Sequence, residues 1–105
     1  MCGFAGFLSP SGAGDERLIG AMTDCLRHRG PDASGAWMDA EAGVGLGHRR
    51  LSIVDTSPAG HQPMKAGSGR YVLVFNGEIY NHLDLRAKLE GEGRAPDWRG
   101  HSDTE

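Results

Sequence analysis

The sequence predicts an α+β domain, and three observations carry that expectation. An apolar run, CGFAGFL, follows Met1, and a second, RYVLVFN, occupies 70–76. Between and after them, two segments repeat apolar residues at helical spacing. The 105 residues, 38% of them hydrophobic, suffice for one modest core and give no reason to expect two domains.

Taken in order, residues 2–8 read as a buried strand whose two glycines let another backbone come close. From Asp15, the residues Leu18, Ile19, Met22, Cys25 and Leu26 recur at helical spacing, and Gly30-Pro31 supplies the stop, so a helix is expected over 15–28. Strands over 35–38 and 43–54 flank a polar turn at 39–42. In the second strand, Val44, Leu46 and His48 share one parity, whereas Leu51 and Ile53 share the other. That switch calls for a bulge near Arg49-Arg50. A loop with two prolines and three glycines covers 55–69. The run at 70–76 reads as a strand buried on both faces. Asn81 is placed to cap a helix over 82–90, with Asp84 in its first turn and Leu85 and Leu89 on one side, ended by Gly91 and Gly93. The remaining stretch is polar and stops on an acidic motif with no closing element, as a truncated domain would.

Composition narrows the function classes. A net charge of -3 supplies no field for a nucleic acid or an anionic membrane. The two cysteines, Cys2 and Cys25, form no CxxC pair or zinc spacing, and a reduced, cytoplasmic protein is expected. The apolar N-terminus lacks preceding basic residues and is too short for a secretory signal, and no run approaches the ~20 apolar residues that span a bilayer. Seventeen glycines, dispersed without a period, imply tight turns and close backbone approaches, as loop-built sites require.

Three groups of residues carry chemistry. Cys2 becomes the N-terminus if Met1 is trimmed, placing a thiol and an α-amine on one residue. With reference pKa values of about 8.5 and about 7.7–8.0, the amine can take the thiol proton without a histidine. The alternative is a small buried hydrophobe. Asn76-Gly77 after an apolar strand reads most simply as a type I′ hairpin turn. It also offers a side-chain amide and a backbone N–H that could stabilise an oxyanion. Arg50, Glu78 and Asp103 suit a zwitterion, because an α-carboxylate matches a guanidinium fork and an α-ammonium matches carboxylates; singly, each reads as a surface charge. His28, His48, His61, His82 and His101 are too irregularly spaced for a metal site, Trp37 and Trp98 read as core residues, and no GxxxxGK phosphate loop occurs.

Six segments in order, Cys2–Gly6, His28–Asp32, Gly47–Asp55, Gly60–Met64, Phe75–Asn81 and Ser102–Glu105, resemble the class II glutamine amidotransferases with an N-terminal nucleophile, and within them the asparagine synthetase branch. The resemblance spans the chain. It implies a four-layer αββα sandwich of which residues 1–105 are the N-terminal portion, the later strands and helices and the ATP-dependent synthetase domain being absent. It further implies Cys2 as nucleophile with its α-amine as base, an oxyanion hole of Asn76 and Gly77, Arg50 on the glutamine α-carboxylate, Glu78 and Asp103 on its α-amino end, and the backbone around Leu51 and Ile53 lining the pocket. One departure is the segment Gly91–His101, longer and more polar than this family carries before Ser-Asp-Thr-Glu.

The expected function is therefore hydrolysis of L-glutamine to glutamate and ammonia for amidation of aspartate. ATP and Mg are expected only for the synthetase domain, no metal or cofactor is expected in this segment, and a homodimer is left open. An acceptor other than aspartate, in β-lactam or exopolysaccharide pathways, and an inactive glutamine-binding fragment are the rival readings.

Overall fold

A computed structural model describes residues 1–53 and 55–105. Strand β1 (Gly3–Leu8) is followed by helix α1 (Glu16–Asp24) and strands β2 (Ala33–Asp39) and β3 (Val44–Arg50). A single 3₁₀ turn (Pro58–Gly60), the two-residue strands β4 (Met64–Lys65) and β5 (Val72–Leu73), and helix α2 (His82–Gly91) complete the order. The α+β expectation holds at this level.

The strands β1, β3 and β2 form an antiparallel sheet with β3 in the centre. Its registers run from Gly3 opposite Arg49 to Leu8 opposite Val44, and from Ala33 opposite Arg50 to Asp39 opposite Val44. Alternation puts Gly45, Gly47 and Arg49 on one face of β3, and Val44, Leu46, His48 and Arg50 on the other. Helix α1 covers the first face. A Cβ at Gly47 would collide with the Thr23 hydroxyl, and one at Gly45 would meet the Phe7 ring at 2.5 Å, so the glycines are what let helix and ring lie on the strand. Ile19 and Thr23 are the helix residues buried there.

Helix α1 starts where Asp15 caps it, its carboxylate accepting from the Leu18 N–H at 2.9 Å. It stops sooner than the expected 15–28. Beyond Asp24 the chain makes successive i→i−3 bonds, Leu26 to Thr23, Arg27 to Asp24 and Arg29 to Leu26. These turns deliver Gly30 against the Arg49 and Arg50 backbone, where a Cβ has no room. Cys25 is consequently exposed, not apolar core, and both cysteines are free.

Four further expectations are corrected. The strand expected over 43–54 ends at Arg50, with unbroken pairing and no bulge, so the parity switch reflects the strand's end. Val54, the last residue of that expected strand, lies outside the described residues. Asp32 draws the chain off the sheet by accepting from the Ser52 N–H at 2.8 Å. The run at 70–76 forms only β5, with Val72 half-buried and Leu73 46% exposed, because β5 pairs with β4 alone among the described residues. No hairpin forms at Asn76-Gly77. Asn81 occupies the N-cap position of α2 but its side chain makes no capping bond, at φ -103° and ψ 24°.

Helix α2 buries none of its residues. What fixes it is Arg86, whose guanidinium donates to Gly100 O and Ser102 O at 2.9 Å each, pairs with Glu105 Oε2 at 2.9 Å, and lies 4.3 Å above the Trp98 ring. Trp98 is thus a lid on a cation, not a core residue. Among the described residues, no helix is long and apolar enough to cross a membrane.

Candidate active site

The site lies at the end of the central strand, on the sheet face turned away from α1. The register that pairs Gly3 with Arg49 brings Cys2 beside Arg50, and alternation puts Cys2, His48 and Arg50 on that face. A cleft of about 330 Å³ opens there. Its walls include all eight residues singled out in the sequence: Cys2, Arg50, Leu51 and Ile53 on the sheet side, and Asn76, Gly77, Glu78 and Asp103 across from them. Ile53 is 71% exposed and stands at the rim. Met1 also lines the cleft.

The Cys2 sulfur is held by one residue. The Leu51 N–H donates to Sγ at 3.3 Å, and Sγ donates to Leu51 O at 3.5 Å. The Arg29 Nε donates to Cys2 O at 3.2 Å, fixing the backbone of the same residue. The sulfur therefore has a set direction.

Arg50 is locked by the loop that follows it. Its Nη1 donates to Ser57 O at 2.8 Å and its Nη2 to Asp55 O. A guanidinium has five N–H donors, so these bonds orient the group and leave donors for a carboxylate. A Cβ on Gly60 would collide with Nη2, which shows how closely the loop wraps the guanidinium. Opposite, Asp103 accepts the Ile79 N–H at 2.7 Å through Oδ2 and so ties down the segment that carries Asn76, Gly77 and Glu78.

The backbone immediately before Asn76 is fixed from both sides. Phe75 N–H donates to Gln62 Oε1 at 2.6 Å, and Phe75 O lies 3.2 Å from His48 Nε2. His48 is 1% exposed, and its Nδ1 has no partner among the described residues. Burial pushes its pKa below the ordinary 6.5, with the nearby His61 and Arg50 charges acting in the same direction against the bond to Phe75. His48 is consequently a neutral donor through Nε2.

Asp55, Gln62, Ser102 and Thr104 also line the cleft and were not singled out by sequence. Gln62 Nε2 donates to Thr104 Oγ1 at 3.3 Å, joining the Phe75 backbone to the Ser-Asp-Thr-Glu segment. Their only signal in the sequence is membership of the motif segments. The described residues hold no cluster of three or more His, Cys, Asp or Glu that could take a metal ion.

The cleft thus gathers a thiol at the start of a strand, a side-chain amide and three charged side chains, and the chain belongs to the glutamine amidotransferase domain family, which it matches over residues 1–105. Its relatives are more particular. It is 42% identical to asparagine synthetase (glutamine-hydrolyzing) 1 of Bacillus subtilis, the match covering the whole chain and 16% of the relative. A Mycobacterium tuberculosis protein, provisionally described as a glutamine-hydrolyzing asparagine synthetase, is 45% identical over 85% of the chain and 16% of its own length. Amidase chry2 of Gibberella zeae is 39% identical over the whole chain and 17% of its own length. The chain thus spans about a sixth of the curated relatives it matches. No solved structure matches it.

Proposed function

We propose that this chain carries the glutamine-hydrolysing site of an asparagine synthetase-like enzyme, with Cys2 as the nucleophile. The observation that carries the reading is the meeting, in one cleft, of the Cys2 sulfur, the Asn76-Gly77 pair and the charges of Arg50, Glu78 and Asp103. The relatives named as glutamine-hydrolyzing synthetases support the same reading.

Once Met1 is removed, the α-amine of Cys2 takes the thiol proton and the sulfur attacks the glutamine side-chain carbonyl carbon. Asn76 Nδ2 and the Gly77 N–H stabilise the resulting oxyanion; one such donor contributes typically ~2.7–4 kcal/mol in the transition state. The α-ammonium returns its proton to the departing nitrogen, ammonia leaves, and a thioester remains. Water, deprotonated by the same amine, opens the thioester and releases glutamate. Meanwhile Arg50 holds the α-carboxylate, Asp103 and Glu78 hold the α-ammonium, and the backbone near Leu51 and Ile53 lines the side-chain channel.

In the whole protein, the observed α+β layers become part of a four-layer αββα sandwich, and ammonia passes to an ATP-dependent synthetase domain that amidates aspartate in the cytoplasm. ATP and Mg belong to that synthetase domain, and no step here is routed through them. Mass spectrometry of the mature chain, followed by incubation with an amino-acid electrophile that mimics glutamine, tests the reading. A single adduct on Cys2 is expected. An adduct on Cys25, or retention of Met1 together with full glutaminase activity, would overturn it. In the full-length protein, Cys2→Ala is expected to abolish glutamine use and preserve synthesis from added ammonia; equal loss of both contradicts the assignment.

A further inference from the structure

Asp55 is 7% exposed, sits in the cleft wall, and has no role in the chemistry just described. Its two ends bind two different parts of the site. Its backbone carbonyl accepts from Arg50 Nη2. One carboxylate oxygen accepts the Ser57 N–H at 2.7 Å, and Ser57 O in turn accepts from Arg50 Nη1. The other oxygen accepts the His101 N–H at 2.9 Å, 46 residues away and two before Asp103. Packing supports the bonds. A Cβ on Gly100 would come within 2.6 Å of Asp55 Oδ2 and 2.7 Å of the Ala59 Cβ, so the segment leading to Asp103 is pressed directly onto the Asp55 loop.

We infer that Asp55 is a positioning residue that clasps together the two charged ends of the glutamine cradle, so that the guanidinium of Arg50 and the carboxylate of Asp103 keep the spacing of an α-amino acid. The inference rests on the glutaminase reading and deepens it. A carboxylate and an ammonium on the same carbon are a short, fixed distance apart, and a cradle that selects them together needs its two halves joined. No hydrogen bond or ion pair links Arg50 directly to Asp103 among the described residues. Asp55 is the side chain that bonds to the loops on both sides. The Ser57 hydroxyl and then the His101 and Ser57 amides hold its pKa down to about 2, so the clasp stays charged at neutral pH.

The test compares two thiol reagents on the full chain after Met1 removal. Iodoacetamide needs only the Cys2 sulfur, whereas 6-diazo-5-oxo-L-norleucine needs the sulfur and the cradle. For Asp55→Ala the expected result is labelling by the amino-acid reagent roughly 10- to 100-fold slower, because small misplacement of a binding group is that costly, with the iodoacetamide rate unchanged. Asp55→Asn, which keeps one acceptor oxygen, should lose less, and it decides the matter if the alanine variant fails to fold. Equal slowing of both reagents in a folded Asp55→Asn variant would mean a general structural role and overturn the clasp, as would no slowing of either. A parent chain that reacts with iodoacetamide at Cys2 but not with the amino-acid reagent would instead overturn the glutaminase reading itself, and the clasp with it.

Discussion

Gln62 shows how a site is organised one residue at a time. It is 7% exposed, and its amide accepts from Phe75 N–H and donates to the Thr104 hydroxyl. Replacing it by leucine, of similar size, leaves the Phe75 N–H without a partner in a half-buried place. An unsatisfied group of this kind costs about 1–3 kcal/mol. Gln62→Leu is therefore expected to lower the unfolding free energy by that amount, seen as a lower urea midpoint with an unchanged m-value, and to slow glutamine hydrolysis because Asn76 follows directly on Phe75. An unaltered midpoint would show that the bond contributes nothing net. The five side chains of Cys2, Arg50, Asn76, Glu78 and Asp103 could be singled out in the sequence by residue type and Gly77 by its place after Asn76, whereas Leu51 and Ile53 were named only through the family resemblance; all eight line one cleft. Gln62 and Asp55 were not singled out, because each works by accepting backbone N–H groups 13 and 46 residues away, and such distances leave no local pattern.

Among the elements, α2 depends most on a few polar contacts, since none of its own residues is buried. The side chains of Arg86 and Glu105 are 14% and 4% exposed and form an ion pair at 2.9 Å. Burial alone would raise the Glu105 pKa, but the Arg99 and Gly100 N–H groups and the Arg86 charge outweigh it and hold it below its ordinary value. Removing Arg86 leaves Glu105 with only the more exposed Arg99 Nε at 3.4 Å as a charge partner, a cost below the ~3–5 kcal/mol of a fully unpaired buried charge. Arg86→Ala should thus release α2 and residues 97–105, seen as loss of amide-exchange protection there while β1, β2 and β3 stay protected. Adding Glu105→Gln should restore part of the loss. Uniform loss across the sheet would show that α2 is not a separable unit. The elements themselves divide on similar grounds. The apolar spacing from Asp15 and the shared parity of Val44, Leu46 and His48 are local signals, and they gave the start of α1 and the face that carries His48. The apolar run at 70–76 misled because apolarity measures what a strand could bury, whereas β5 has only β4 beside it.

At the scale of the whole molecule, three buried or bonded titratable groups should make stability fall in one direction on acidification. The unfolded chain binds a proton on His48 as pH falls through about 6.5, but the folded chain resists it, because a second ring proton would lie buried with no acceptor. The unfolded state therefore binds more protons, and stability declines from about pH 6.5 downward, with a limiting slope for one proton of about 1.4 kcal/mol per pH unit. Glu105 adds to the loss below its ordinary 4.5, and Asp55 between its ordinary 3.8 and its folded value of about 2. Both carboxylates contribute stability that is fully present above their ordinary values and lost as they protonate. Urea unfolding measured from pH 7 to pH 2 should show a first decline assignable to His48 and a second assignable to the carboxylates. His48→Gln keeps a donor for Phe75 O without a titrating ring, so it should flatten the curve between pH 7 and pH 5 and leave the lower decline in place. If the variant and the parent fall in parallel through that upper range, the buried imidazole is not the group that responds.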